Sequence, residues 1–358
     1  MLKQACINFV YFVLAIGLIS QPLNADDKHT LKLALVTSLS GAAAIHGQSL
    51  KNGVELALEE LRAEGWKTEL TVEDDQTNPS MTVSAVSKLA SQGHSLFVGP
   101  TWSYLAESVA PVYARLGVVA IGPAVSSEVV GTSSDRFFFG MSKSEGKIAP
   151  LAEWMSREGV KKVVILYANS RWGLVHEEVF KKAAAKANVQ VIGTETFEYG
   201  QETALPSLLV RLNRLKPDAY LTTSSKEGVV EINKKLLELK AQTRLVSTED
   251  LQDAARMGIL PAASRGVSRW ALTYRSSDDF MRRYKEKFHE NPYVFADTAY
   301  DSAKLFALAK ANSEGTPESI AAYLRNVDYN GASGRWQFDE NRDVAKGTYE
   351  LIGIDSAG

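Results

Sequence analysis

The sequence predicts an α/β protein built on parallel sheets covered on both faces, and three observations carry that expectation. Short apolar runs alternate with amphipathic helical patterns over residues 31–246, the signature of consecutive strand-helix-strand units. The apolar runs are near-continuous rather than alternating, as strands buried on both faces require. Several end in Gly-Pro or in a polar turn just before a helical pattern, so strand ends and helix starts come together repeatedly. The 358 residues hold enough units for two such sheets.

Taken in order, residues 31–36 are the first apolar run, ended by Thr37-Ser38-Leu39-Ser40-Gly41. Gly47 opens a helix in which Leu50, Val54, Leu58 and Leu61 share a face until Gly65 stops it. A strand over 69–73 leads to Asp74-Asp75-Gln76-Thr77-Asn78-Pro79, where Asn before Pro suits a cap followed by a first-turn proline. Val83, Val86 and Leu89 give the next helix its apolar stripe. Residues 96–126 then repeat the scheme twice. One run ends in Gly99-Pro100, a helix carries Leu105, Val109, Val112 and Leu116, and a second run ends in Gly122-Pro123. Ser103 and Ser126 stand where helix starts leave backbone N–H groups without partners, a setting that attracts an anion. Either serine could equally be an ordinary cap.

Further on, a strand over 136–140, a helix over 144–158 and a strand over 162–167 lead to Asn169-Ser170-Arg171-Trp172-Gly173, which opens a helix ending near Asn188. Strands over 189–194, 218–221 and 244–246 alternate with helices over 204–215 and 227–239. A strand over 267–272 precedes helices over 278–289, 295–312 and 317–326, and the runs 334–338 and 348–354 are expected to pair as a hairpin. No Pro/Gly-rich linker interrupts the chain, so passage between two domains must run through strands.

Composition narrows the function. With 45% hydrophobic and 23% charged residues and a net charge of −2, the chain reads as globular and carries no basic stripe suited to nucleic acid. Its five histidines lack metal-ligand spacing, and the Asp74-Asp75 pair precedes a helix start and orders a turn. With no Gly-x-Ser-x-Gly elbow, P-loop or dinucleotide fingerprint, neither catalysis nor a cofactor is expected. The first 25 residues place Lys3 before an apolar run over 7–19, then Leu23-Asn24-Ala25 ahead of Asp26-Asp27-Lys28. That is the plan of a secretory signal peptide cut after Ala25. The alternative is an uncleaved anchor, for which the run falls short of the roughly 20 residues of a membrane span. Cys6, the only cysteine, lies inside it, which excludes a disulfide scaffold or cysteine nucleophile from the rest of the chain.

Several segments together resemble the periplasmic ligand-binding proteins of the branched-chain amino acid type, the extracytoplasmic receptors of ABC importers. They are Thr37-Ser38-Leu39-Ser40-Gly41 with His46-Gly47, Val72-Glu73-Asp74-Asp75, Val98-Gly99-Pro100 with Ser103, Ile121-Gly122-Pro123-Ala124, Trp172-Gly173, Ala299-Tyr300-Asp301, and Gly331-Ala332-Ser333-Gly334 with Phe338-Asp339. The resemblance implies the type I fold: two similar three-layer αβα lobes with parallel sheets, joined by three crossings, holding a small ligand in the cleft as they close. The crossings would fall near Gly140, Tyr274 and Gly331. One lobe is then 26–141 plus 275–330, and the other 142–274 plus 331–358.

The resemblance also assigns roles. Ser103, Ala124 and Ser126 would hold the carboxylate of an amino acid, Glu249 its ammonium, and Trp172 would pack on the ligand. Ser225 and His46 occupy two further places that are usually aromatic. Each residue has a local alternative. Glu249 could complement a helix dipole behind a cap at Ser247 or Thr248, Trp172 could pack in a core, Ser225 could start the helix carrying Val229 and Ile232, and His46 could be a solvated turn residue. The expected function is a monomeric solute receptor that delivers its ligand to a membrane permease. The second expectation is a sensor or regulator of the same fold, binding an amide or an aromatic carboxylate without transport.

Overall fold

The computed structural model describes residues 28–198, 202–262, 266–274, 276–344 and 349–354. The expected signal segment and Cys6 lie outside the described residues. The chain begins with β1 (Thr30–Thr37), α1 (Ala44–Ala63), β2 (Lys67–Asp74), α2 (Pro79–Ser91), β3 (Leu96–Val98), α3 (Ser103–Leu116), β4 (Val119–Gly122), α4 (Ser127–Val130) and β5 (Phe137–Phe139). It continues with α5 (Ser144–Arg157), β6 (Lys162–Ala168), α6 (Arg171–Lys186), β7 (Gln190–Phe197), α7 (Leu205–Asn213), β8 (Ala219–Thr223), α8 (Lys226–Glu238), β9 (Thr243–Ser247), α9 (Glu249–Arg256) and β10 (Val267–Tyr274). The last described elements are α10 (Asp278–Phe288), α11 (Ala296–Ala311), α12 (Pro317–Arg325), β11 (Tyr329–Gly331), β12 (Gly334–Trp336) and β13 (Tyr349–Gly353).

Two sheets organise these elements. The first has the order β2-β1-β3-β4-β5 and is parallel throughout. The second has the order β13-β10-β9-β8-β6-β7 and is parallel except for β13, which runs antiparallel to β10 at the edge. Each sheet is covered on both faces, as its continuous apolar strands demand. In the first, Leu31, Leu33 and Leu35 face a core shared with α1, α11 and α12, whereas Ala34 and Val36 face one shared with α2 and α3. In the second, Tyr220 and Leu245 meet α7, α8 and α9, and Leu221 and Val246 meet α5 and α6. The result is two three-layer αβα units.

The structure departs from the sequence reading in three places. Helix α1 begins at Ala44 rather than Gly47, because the Gly47 N–H already donates to the Ala43 carbonyl at 2.9 Å. The expected hairpin does not form. Trp336 is buried in the first core, with Nε1 donating to Asp301 at 3.0 Å, and this holds β12 against β11 while β13 pairs with β10 in the other sheet. For the same reason the third crossing is not at Gly331: Ala332, Trp336 and Val344 all pack in the first core. Val344 still packs in the first core, and the second sheet's last described strand starts at Tyr349.

Candidate functional site

In a parallel sheet a ligand crevice lies beyond the carboxyl ends of the strands, where neighbouring strands send their chains to opposite faces. That point is between β1 and β3 in the first sheet and between β6 and β8 in the second. The residues singled out in the sequence sit on these two edges.

On the first edge, the acid pair orders the turn. Asp74 accepts from Leu39 N at 2.8 Å, Ser40 Oγ at 2.7 Å and Gln76 N at 2.8 Å, and Asp75 accepts from Ser38 Oγ at 2.6 Å. The loop after β1 is thereby fastened to the loop after β2. Burial pushes the Asp75 carboxyl above its ordinary range against the pull of Ser38. Burial acts the same way on Asp74, but Ser40 and three backbone donors hold it below. His46, in the first turn of α1, is buried rather than solvated.

Ser103 is the first residue of α3 instead of its cap; the cap position belongs to Trp102, which makes no side-chain capping bond. Leu105 and Ala106 donate back to the Trp102 carbonyl at 3.1 and 3.0 Å, and the first N–H groups of the helix are left without intrahelical partners. Ser126 holds the cap position of α4 and likewise makes no side-chain capping bond; Ala124 lies half-buried in the turn before it. Here the open helix end is partly used up. Ser127 N donates to Asp343 Oδ1 at 2.7 Å, and the Ser127 hydroxyl also bonds Asp343. Ser126 therefore offers its hydroxyl more than a free helix start.

On the second edge, Ser170 caps α6 by accepting from Gly173 N at 3.1 Å, which sets half-buried Trp172 in the first turn with its ring 5.1 Å from that of His176. Burial, assisted by the Lys147 charge, drives the His176 pKa well below the usual imidazole range. Ser225 caps α8, accepting from Gly228 N at 3.0 Å. Its local role is thus present, and its hydroxyl is engaged. Glu249 is the first residue of α9; its side chain lies outside the described residues.

The two edges face each other. His46 Nε2 lies 3.4 Å from Asp253 Oδ2, and Arg256 Nη1 donates to the Pro292 carbonyl at 3.4 Å. At the mouth, burial raises the Glu107 carboxyl while the Arg171 charge opposes it. Around His46 stand Trp102, Tyr293 and Phe295, at ring separations of 5.5, 5.2 and 6.2 Å. The sequence reading missed Asp253, Tyr293 and Phe295. Asp253 had a usable signal: it follows Glu249 by four positions on one helix, hence on the same face.

A cavity of about 350 Å³ lies beside this meeting point, lined by Arg256, Ser276, Asp278, Tyr293 and Glu350 among others. Of the seven predicted site residues, none of the six whose side chains are described lines it. Among the described residues there is no cluster of three or more His, Cys, Asp or Glu that could hold a metal, and no helix long and apolar enough to cross a membrane.

The sequence profile of the family described as periplasmic binding protein matches residues 30–358. A leucine-, isoleucine-, valine-, threonine- and alanine-binding protein of Pseudomonas aeruginosa is 22% identical over 343 residues, covering 92% of this chain and 90% of the relative. Among solved structures, the branched-chain amino acid substrate-binding protein LivJ of Streptococcus pneumoniae, in complex with isoleucine, superposes with a TM-score of 0.79 at 21% identity, covering 92% of this chain and 97% of that one. A solute-binding protein of Rhodopseudomonas palustris in complex with 4-hydroxybenzoate gives 0.80 at 18% identity, covering 91% and 93%. With its family profile matched almost end to end and the two facing sheets of the type I fold, the chain belongs to the periplasmic binding protein family.

Proposed function

We propose that this chain is an extracytoplasmic receptor that captures an amino acid between its two units and delivers it to the permease of an ABC importer. The units act as lobes, 28–141 plus 276–344 and 142–274 plus 349–354 of the described residues. One observation carries the reading: the carboxyl edges of two parallel sheets face each other, with the unpartnered start of α3 and the Ser126 hydroxyl on one side and the first turns of α6 and α9 on the other. Helix-start donors and hydroxyls suit a carboxylate, so Ser103, Ala124 and Ser126 take the ligand's acid group. Glu249, opening α9, takes the ammonium, and Trp172 packs on the ligand body. Ser225 serves as the cap of α8 and stands at the edge of the ligand's space. A zwitterion must have both ends paired before a cleft can close over it, and this division of labour pairs them.

A second reading has support of its own. The aromatic group His46, Trp102, Tyr293 and Phe295 offers flat apolar surface, and one relative of the same fold is in complex with 4-hydroxybenzoate. An aromatic carboxylate would use the same acid-binding edge without needing Glu249. Thermal unfolding of the purified protein against single amino acids and benzoates separates the two, since a ligand that binds the native state raises the melting temperature. Shifts with amino acids that are lost in Glu249→Ala support the first reading. Shifts with benzoates alone overturn it in favour of the second.

A further inference from the structure

At the edge away from the candidate site, the second sheet ends in a collar of positive charge. Parallel strands all start at one edge of their sheet, and the helices that connect them finish there. Printed on that edge is a chain of close contacts. Lys161 N and Lys162 N, at the start of β6, both donate to Asp218 Oδ2 at 2.8 Å, and the Asp218 carbonyl accepts from Arg244 N at 3.0 Å. Arg244 Nη2 reaches the Glu158 carbonyl at 3.1 Å, and Gln190 N donates to the Lys161 carbonyl at 2.8 Å. The starts of β6, β7, β8 and β9 and the end of α5 are thereby drawn into one surface.

Six exposed cations, Arg157, Lys161, Lys186, Arg214, Lys216 and Lys240, each lie within four residues of one of those contacts. They are scattered along the chain and meet only because the fold returns every helix of this unit to the same edge. The nearby acids do little to offset them. Asp218 is half-buried and turned onto backbone N–H groups, and Glu238 pairs with Lys235 at 2.8 Å, which leaves exposed Glu158. Among the cations stands Leu215, 45% exposed, directly between Arg214 and Lys216, its N–H held by the Leu212 carbonyl at 3.0 Å.

Gathering like charges costs stability through self-repulsion, and a negative partner recovers that cost. The leucine says which kind. Anionic headgroups attract each Lys or Arg near them, and an apolar side chain flanked by cations gains further by entering the boundary between headgroups and acyl chains. A soluble acidic partner would use the charges without needing the leucine. We propose that the strand-start end of the second lobe is a docking surface for an anionic lipid bilayer, the six cations meeting headgroups and Leu215 entering the acyl boundary. Docking there leaves the candidate site clear, because that site lies at the opposite edges of the sheets. A receptor resting in this way searches for its permease across a surface instead of through a volume. The docking does not depend on which ligand the cleft takes.

The test is flotation of the purified protein with phosphatidylcholine vesicles, with and without phosphatidylglycerol, at low salt and at about 0.15 M salt, with soluble polyglutamate as competitor. It is repeated on the triple variant Lys161→Glu, Lys216→Glu, Lys240→Glu and on Leu215→Ser. The expected partition onto anionic vesicles at low salt is about tenfold or more above that onto neutral ones and falls as salt is added. The triple variant loses this preference, and Leu215→Ser lowers the partition about threefold. Both keep the ligand response of the unaltered protein. No binding to anionic vesicles at low salt overturns the proposal, as does equal binding to neutral and anionic vesicles or binding unmoved by the triple variant. If polyglutamate displaces the protein and Leu215→Ser binds vesicles as before, the surface answers an acidic protein and the bilayer assignment is overturned. Should the triple variant not fold, Lys216→Glu alone takes its place, with a smaller loss in the same direction expected and no loss overturning the assignment.

Discussion

Gly47→Ala is the substitution for which the structure gives the sharpest number. Gly47 lies in the first turn of α1, pressed against the loop that leaves β1. A Cβ built there would stand 1.7 Å from the Ser38 carbonyl oxygen and 2.4 Å from its carbon, where real Cβ atoms essentially never come within 3.0 Å. Both obstacles are backbone, so neither can swing aside. The turn must retreat by ~1.3 Å or the loop must be rebuilt, and the loop is held by Thr101 Oγ1, which accepts from Ser38 N at 2.9 Å, and by Asp75. Alanine is worth about 1 kcal/mol more than glycine inside a helix, which taken alone would stabilise the variant. Overpacking against fixed backbone costs ~3 kcal/mol and wins, for a net loss of about 2 kcal/mol. In a chain of this size that lowers the melting temperature by about 3 °C, measurable by circular dichroism. Because His46 precedes Gly47, the same retreat draws the imidazole off Asp253, and ligand affinity falls with stability in a parallel titration. A melting temperature equal to or above that of the unaltered protein, with binding unchanged, would refute this reasoning.

Two further outcomes are expected. Burial raises the carboxyls of Asp301 and Asp343 to about 6 each, opposed by hydrogen bonds from Ser333 and Ser127 respectively. Between the ordinary carboxylate pKa of about 4 and that raised value, the folded state holds protons that the unfolded state has released. The contribution of these two groups is therefore complete below about pH 4 and is lost as pH rises through about 6; urea midpoints across this window should show a decline that Asp343→Asn makes shallower. Ser225→Ala removes the cap of α8 and should cost about 1 kcal/mol in chemical unfolding, while changing ligand affinity less than Ser126→Ala does, since the Ser225 hydroxyl is already engaged with Gly228.

The fold was legible because strands buried on both faces have to be continuous and apolar, and the ordered turns between them are polar; runs such as Val119–Gly122 and Ala219–Thr223 permit no other reading. The final 30 residues were not, because pairing in short strands is settled by tertiary contacts. Nothing local in Gly334–Trp336 says that Trp336 will be drawn into the first core by Asp301. At the candidate site, Ser103 and Ser126 could be found from turn chemistry at strand ends. Asp253 and Tyr293 could not be paired with His46 from the sequence: each lies more than 200 residues away, Tyr293 reaching it through the packing of the first unit and Asp253 only by the approach of a second sheet. The cap of α8 shows the converse: Ser225 fulfils a local expectation, and that rule was enough to locate it.

The crossings have a mechanical consequence. As it leaves the first lobe, the chain at Phe139 is bonded to the returning chain, Phe139 N donating to Arg342 O at 2.8 Å and Val344 N to Phe139 O at 3.1 Å. The second crossing is tied to the base of the same lobe, with Ser277 N donating to Ala332 O at 2.8 Å. Two connections anchored side by side at this end would act as a ribbon rather than a pair of strings. A ribbon flexes across its flat face and resists twisting and in-plane shear, so lobes joined in this way would move more like a door on its hinge than a ball in a joint. Ser127 and Glu128, next to Ser126, are bolted to that hinge through Asp343 and Ser144. On the proposed reading, the swing of one lobe would be referenced to Ser126, the residue proposed to meet the ligand's acid group, and the arc along which the cleft shuts would be fixed before any ligand arrives.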